Sequence, residues 1–270
     1  MKAVRTLARL RPRAANAHKG DFGTVLVVAG SEQMLGAAVL CASGAQRGGA
    51  GLVRVALPAA LQPLLPLAVP GATTLSRSTA ELLKAVANAT AVVVGPGLGA
   101  TAATRSLVRA VLRASRVPVV LDADALNVLA PLAAPLASRA PLVLTPHPGE
   151  AGRLLGSDSG SVQADRPRAL RALCERSGAV VVLKGAGTLV GDAGRCYTNR
   201  SGNPGMATGG SGDVLAGLLG ALLAQDLAPF DAACLAVNVH GRAGDAVAKE
   251  LGQRGLLASD LPLAIAKVLG

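Results

Sequence analysis

Residues 91–127 read AVVVGPGLGATAATRSLVRAVLRASRVPVVLDADALN, and this stretch decides the fold class. Ala91 to Val94 is an apolar, Val-rich run that stops at Gly95-Pro96-Gly97-Leu98-Gly99. Thr101 to Ser115 then reads as a helix, and Val117 to Leu121 as a second strand that ends at Asp122-Ala123-Asp124. Both strands are continuously apolar instead of alternating, which marks strands covered on two faces, as in a parallel sheet.

The same unit recurs outward in both directions. Thr24 to Ala29 is a strand followed by a helix over Gly36 to Arg47, and Gly51 to Leu57 is another strand. Leu142 to Leu144 precedes Thr145-Pro146-His147-Pro148-Gly149-Glu150, and Val180 to Leu183 precedes Lys184-Gly185-Ala186-Gly187-Thr188. Thr188 to Val190 and Arg195 to Thr198, joined by Gly191 to Gly194, read as a hairpin near the end of the sheet. The last third is helical, over Ser211 to Gln225, Pro229 to Leu251 and Ser259 to Val268. Alternating strands and helices predict an α/β fold of three layers, α/β/α, with a mostly parallel central sheet. The polar and Gly-rich clusters all follow strands, at the edge where such sheets bind ligands. No linker, repeat or low-complexity segment divides the chain, so a single domain over residues 1–270 is expected; Pro58 to Pro70 reads as a loop or short helix.

Composition narrows the function. Phe22, Phe230 and Tyr197 are the only aromatic residues, so the core is built from Ala, Val and Leu and base stacking is a poor binding mode. The net charge is +11, but the arginines are scattered and lack an aromatic reading surface, so nucleic acid is not the expected partner. The positive field suits anionic small molecules. Cys41, Cys174, Cys196 and Cys234 form no CxxC pair, so neither zinc nor a redox motif is indicated, and free thiols in a cytoplasmic protein are expected. Met1 to Arg13 is basic without an apolar signal region, and no apolar stretch is long enough to span a membrane.

The segment Gly202-Asn203-Pro204-Gly205-Met206-Ala207-Thr208-Gly209-Gly210-Ser211-Gly212-Asp213-Val214-Leu215-Ala216-Gly217 carries the sharpest chemical signal. A Gly-rich turn leading into an apolar helix presents backbone N–H groups and the positive end of the helix dipole to an anion, here an anion hole over Gly209, Gly210, Ser211 and Gly212. Asp213 in the first turn can accept a proton from a hydroxyl that attacks a phosphoryl group, or it can simply cap the helix. No GxxxxGK[ST] loop exists, so Lys184 to Thr188 is the candidate for holding nucleotide phosphates; Lys184 alone is equally a surface lysine. His147 is a candidate substrate contact or an ordinary loop histidine, and Glu150 a candidate helix cap; with two prolines and no third ligand, HPGE does not read as a zinc pair. Asp124 could orient a Mg²⁺-bound water or, with Asn127, only begin a helix.

These motifs, with HKGDFG (His18 to Gly23), VLVVAGS (Val25 to Ser31), LGAA (Leu35 to Ala38) and RGGAGLV (Arg47 to Val53), resemble the ADP- or ATP-dependent NAD(P)H-hydrate dehydratases of the ribokinase-like superfamily, from about His18 to near Asp260. The long GSGD segment together with TPHPGE is the specific part of the likeness; GPGLG or KGAGT alone is not. Relatives often have RSGAGLV where this chain has RGGAGLV. The resemblance implies Asp213 as general base and Ala37, Gly99, His147 and Asp213 as substrate contacts, with Ala38 and Gly97 as neighbouring candidates. It also implies Lys184, Gly185, Ala186, Gly187, Thr188 and Gly212 as nucleotide contacts. The implied reaction is repair of the S-form of hydrated NADH or NADPH (NADHX, NADPHX), with ADP, or alternatively ATP, as co-substrate and Mg²⁺ as cofactor. Phosphorylating the C6 hydroxyl makes a leaving group that the ring nitrogen can expel. A stand-alone dehydratase without the epimerase domain found in many bacteria, assembled as a homotetramer, is the accompanying expectation. The competing reading is a ribokinase-like kinase of a small hydroxylated metabolite such as a hydroxymethylpyrimidine.

Overall fold

The computed structural model describes residues 1–270. In chain order the elements are β1 (Lys2–Ala3), β2 (Thr24–Val28), α1 (Leu35–Arg47), β3 (Leu52–Leu57), α2 (Leu65–Ala68), β4 (Ala72–Ser76), α3 (Thr79–Ala87) and β5 (Ala91–Val94). There follow α4 (Ala102–Ala114), β6 (Val119–Leu121), α5 (Asp124–Leu129), β7 (Leu142–Leu144), α6 (Pro148–Leu155), α7 (Ser159–Ala164) and α8 (Arg166–Ser177). The chain closes with β8 (Val180–Leu183), β9 (Leu189–Gly191), β10 (Arg195–Thr198), α9 (Ser211–Ala224), α10 (Pro229–Leu251) and α11 (Leu261–Leu269).

All ten strands lie in one sheet of order β1-β10-β9-β8-β7-β6-β5-β2-β3-β4. Only β9 runs against its neighbours. The strand side chains alternate between two cores: Val25, Val27, Val93 and Val120 face α1, α9, α10 and α11, while Leu26, Val28, Val92 and Val119 face the layer holding Leu82, Val108, Leu126 and Leu170. This explains the unbroken apolar runs, since both sides of each strand are covered. The three-layer, mostly parallel expectation therefore holds.

The sequence reading misses β1, β4, α3, α7 and α8. β4, with Thr73 and Thr74, lies at one end of the sheet and lacks a continuous apolar run. α3 is opened by Ser78, whose hydroxyl accepts from the N–H of Glu81 at 3.4 Å. At the other end, β1 pairs with β10, so the basic amino terminus that carried no structural signal completes the sheet. Expected and observed ends otherwise differ by a residue or two; β6 begins at Val119 because Pro118 lacks an N–H for the ladder.

The closest helix approach lies beneath α9. A Cβ at Gly217 would stand 1.9 Å from the carbonyl oxygen of Cys41, and one at Gly44 would stand 2.3 Å from that of Val214. Only glycine lets α1 and α9 meet at this distance, and the contact fixes where the first turn of α9 emerges at the sheet edge.

Candidate active site

Strands β5, β6, β7 and β8 are neighbours in the sheet, so Gly95, Asp122, Thr145 and Lys184, each next after its strand, come to one edge. The Lys184 ammonium donates to Asp122 Oδ1 at 2.8 Å and lies 3.8 Å from Glu150 Oε2; Thr145 Oγ1 donates to the same Asp122 oxygen at 2.6 Å. Asp122 is 1% exposed and the Lys184 side chain 18%. Lys184 is thus not a surface lysine. Burial pulls its pKa down, but Asp122 and Glu150 outweigh burial, so it stays charged. A Cβ on Gly212 would stand 3.2 Å from Lys184 Nζ, which places the ammonium against the first turn of α9.

That turn leaves donors free for an anion. Gly210 occupies the N-cap at φ 91°, and no side chain caps the helix. The N–H groups of Gly209, Gly210, Gly212 and Asp213 donate to no backbone carbonyl, whereas Ser211 and Val214 bond to Thr208 and Gly210. Orphan donors and the helix dipole converge there. Asp213 is the third residue of α9 and does not act as its cap. Its carboxyl is pushed up to about 7, first by burial, then by Asp122, with Lys184 opposing and Asp124 and Glu150 adding. A carboxylate poised near neutrality beside an anion cradle suits proton acceptance from a hydroxyl.

Beyond Lys184, the loop residues Gly185, Ala186 and Gly187 are exposed, and Thr188 Oγ1 closes the loop onto the carbonyl of Gly185 at 2.9 Å. Arg166 holds the base of this loop by donating to Leu183 O at 3.0 Å and Lys184 O at 3.3 Å.

On the other side of the site, Ala38 is fully buried in the core and Ala37 is half-buried, so Ala37 is the accessible member of the pair. Gly97, at φ 63°, packs beneath it: a Cβ there would stand 2.8 Å from that of Ala37. Gly99 has nothing within 4 Å of its Cβ position, so it faces open space. His147 is the N-cap of α6. Its Nδ1 accepts from the N–H groups of Gly149 at 3.0 Å and Glu150 at 3.4 Å, and the Glu150 carboxylate accepts from His147 N at 2.8 Å. The cap expected at Glu150 is formed together with His147 as a capping box, and it fixes a ring that stays half exposed. Burial, then Lys184 and Arg153, lowers the His147 pKa, which favours neutral imidazole with its proton on Nε2.

Two supports carried no sequence signal. Buried His240 on α10 has Nε2 3.0 Å from the carbonyl oxygen of Ser211, and burial lowers its pKa to about 4, so the neutral ring donates to the start of α9. Asp245, one and a half turns further on, accepts from Gly202 N at 2.9 Å and Asn203 Nδ2 at 3.0 Å. Both lie far along the chain from the loop they brace, and only the packing of α10 brings them there.

A family profile described as NAD(P)H-hydrate dehydratase matches residues 25–267. The chain is 43% identical over 267 residues to the bifunctional NAD(P)H-hydrate repair enzyme Nnr of Moorella thermoacetica, covering 94% of this chain and 50% of that one. It spans about half the length of the bifunctional relatives it matches. It is 46% identical to the ADP-dependent (S)-NAD(P)H-hydrate dehydratase of Neisseria meningitidis serogroup B, covering 93% of this chain and 86% of that one. The ADP/ATP-dependent NAD(P)H-hydrate dehydratase from Bacillus subtilis, co-crystallized with ATP/Mg²⁺, superposes with a TM-score of 0.88 at 33% identity, covering 96% of this chain and 93% of that one. With its Gly-rich helix start, its Asp213 and its ribokinase-like sheet, the chain belongs to the NAD(P)H-hydrate dehydratase family.

Proposed function

We propose that this protein is an ADP-dependent dehydratase that returns the S-form of hydrated NADH and NADPH to the reduced nucleotides, releasing AMP and phosphate. The observation that carries the reading is Asp213, uncapped and raised to about 7, beside the unpaired amides that open α9. Asp213 accepts the proton of the C6 hydroxyl as that oxygen attacks the terminal phosphoryl of the nucleotide. The unpaired N–H groups of Gly209, Gly210 and Gly212 and the Lys184 ammonium stabilise the charge on the transferring group. Loss of the resulting phosphate ester, driven by the ring nitrogen, restores the double bond. Ala37, Gly99 and His147 form the wall for the hydrate, and Gly185 to Thr188 the wall for the nucleotide. The Neisseria relative is named as ADP-dependent, which supports ADP over ATP.

Mg²⁺ belongs to this reading, and the side chains do not build a cage for it. No three His, Cys, Asp or Glu side chains are grouped so as to hold a metal ion, and Asp122 and Glu150 are engaged with Lys184. The ion would be held chiefly by nucleotide phosphates, as is usual for Mg²⁺ in phosphoryl-transfer sites, and no step is assigned to it. The reading extends to one catalytic domain over residues 1–270 and to a homo-oligomer, a tetramer by resemblance. Four free cysteines support a cytoplasmic setting, and no helix is long and apolar enough to cross a membrane.

The test is direct. Purified protein with S-form hydrated NADH, Mg²⁺ and ADP should restore the absorbance of reduced nicotinamide with stoichiometric AMP and phosphate. A stable phosphorylated product without nicotinamide recovery would instead mark a small-metabolite kinase.

A further inference from the structure

The loop carrying Gly99 and the helix opened by His147 are joined by hydrogen bonds that the chemistry above does not use. Gly99 N donates to Asp124 Oδ2 at 2.8 Å, Asn127 Nδ2 donates to Asp124 Oδ1 at 3.1 Å, and Arg153 Nε donates to Asn127 Oδ1 at 3.0 Å. Asp124 and Asn127 lie on α5, and Arg153 lies on α6, whose N-cap is His147. Ala123, just before Asp124, adopts φ 48°, a conformation that residues other than glycine rarely take. The turn is held there, and Asp124 leaves it bonded to the loop. Gly95 to Leu98 are buried, whereas Gly99 is only half-buried and faces open space on its side-chain face, so this bond to its amide is a local anchor for the outer end of the loop.

We propose that Asp124, Asn127 and Arg153 form a positioning relay that sets the Gly99 wall of the hydrate pocket against the His147 wall. The inference rests on the reading of Gly99 and His147 as hydrate contacts. The relay has a fixed polarity. Asp124 accepts at both ends, while Asn127 donates at one end and accepts at the other. Exchanging the two residues keeps every bond: the amide oxygen at position 124 accepts from Gly99, its amide nitrogen donates to the carboxylate at position 127, and that carboxylate accepts from Arg153. Each single exchange breaks the chain. Asp124→Asn sets two amide nitrogens face to face, and Asn127→Asp sets two carboxylates face to face.

The experiment compares the wild type, Asp124→Asn, Asn127→Asp and the double exchange. It measures KM for hydrated NADH, KM for ADP, kcat, and hydrogen exchange at the Gly99 amide. Each single variant should raise the hydrate KM roughly tenfold and speed Gly99 exchange, as expected for a hydrogen bond to a charged group lost without replacement. The KM for ADP should stay within about twofold, since the relay does not reach the Lys184 loop. The double exchange should return both readouts toward wild type. A double variant as impaired as Asp124→Asn would mean that charge at position 124 itself is needed, and the relay would be wrong. Unchanged Gly99 exchange in Asp124→Asn would overturn it as well. Should the Asp124 variants fail to fold, Arg153→Met cuts the exposed end of the chain and must still raise the hydrate KM selectively. Wild-type protein that leaves hydrated NADH untouched would defeat the proposed reaction, while the exchange measurements would still decide the relay.

Discussion

Asp213 and Lys184 are the residues on which the proposed chemistry turns, and their burial makes the consequences of change specific. A carboxyl held near 7 keeps a proton that the unfolded chain, at an ordinary 3.8, has already released. Folding is therefore opposed increasingly as pH rises from about 4 to about 7. Asp213→Asn should lower kcat by roughly 10²–10⁴-fold, the usual range for a lost general base. The same variant should melt higher than wild type at about pH 8, with the gain shrinking as pH falls toward 4. It should also lose the wild-type limb of kcat/KM that rises through about pH 7. Near-normal kcat would remove Asp213 from the mechanism. Lys184→Ala leaves Asp122 buried with only Thr145 for company, a type of loss that commonly costs about 3–5 kcal/mol. We expect a large fall in stability by denaturant titration and a rise in the KM for ADP that exceeds the fall in kcat. Adding Asp122→Asn should restore stability without restoring the KM, because the stray charge is gone but the phosphate contact is not. Recovery of both would make Lys184 purely structural.

At the scale of elements, the site depends on how deeply α1 and α9 approach each other. Gly217→Ala would push a methyl into the Cys41 carbonyl, and backbone cannot swing aside as a side chain can. Overpacking of this kind costs about 1–3 kcal/mol or more. The displaced helix would also carry the Gly209–Asp213 turn away from Lys184. Gly217→Ala should therefore lower both Tm and kcat. Gly36→Ala, in α1 with nothing within 4 Å of its Cβ position, should leave Tm unchanged or slightly raised. Equal losses in the two variants would indicate a general intolerance of alanine, not a contact at the helix crossing. The Lys184–Asp122–Glu150 cluster works at the same scale, since it ties the ends of β6 and β8 to the helix that His147 opens.

For the whole molecule, the +11 charge is a long-range field and not a binding motif. Hydrated NADPH carries one more phosphate than hydrated NADH. Raising ionic strength from about 0.05 to about 0.5 M should lower kcat/KM severalfold through screening, and more for the phosphorylated substrate. The kcat should change little, because the buried pairs of the site are poorly reached by salt. A kcat/KM indifferent to salt would reduce the charge to a matter of solubility.

The sequence by itself determined eight of the ten strands, the three layers and the Gly-rich turn that opens α9. Those signals are local: an apolar run covered on both faces looks the same wherever its sheet neighbours come from, and glycine before a helix has few other uses. It also separated Asp213, Lys184 and His147 from the rest, because their flanking residues are small or conformationally restricted. The tertiary structure alone showed that Asp213 does not cap its helix, that Lys184 is a buried and not a surface charge, and that Ala37 is accessible where Ala38 is not. It alone brought His240 to Ser211 and Asp124 to Gly99, pairs 29 and 25 residues apart. Burial, pKa and hydrogen-bond partnership belong to the space between elements, where chain separation carries no information until the sheet and its helices have packed.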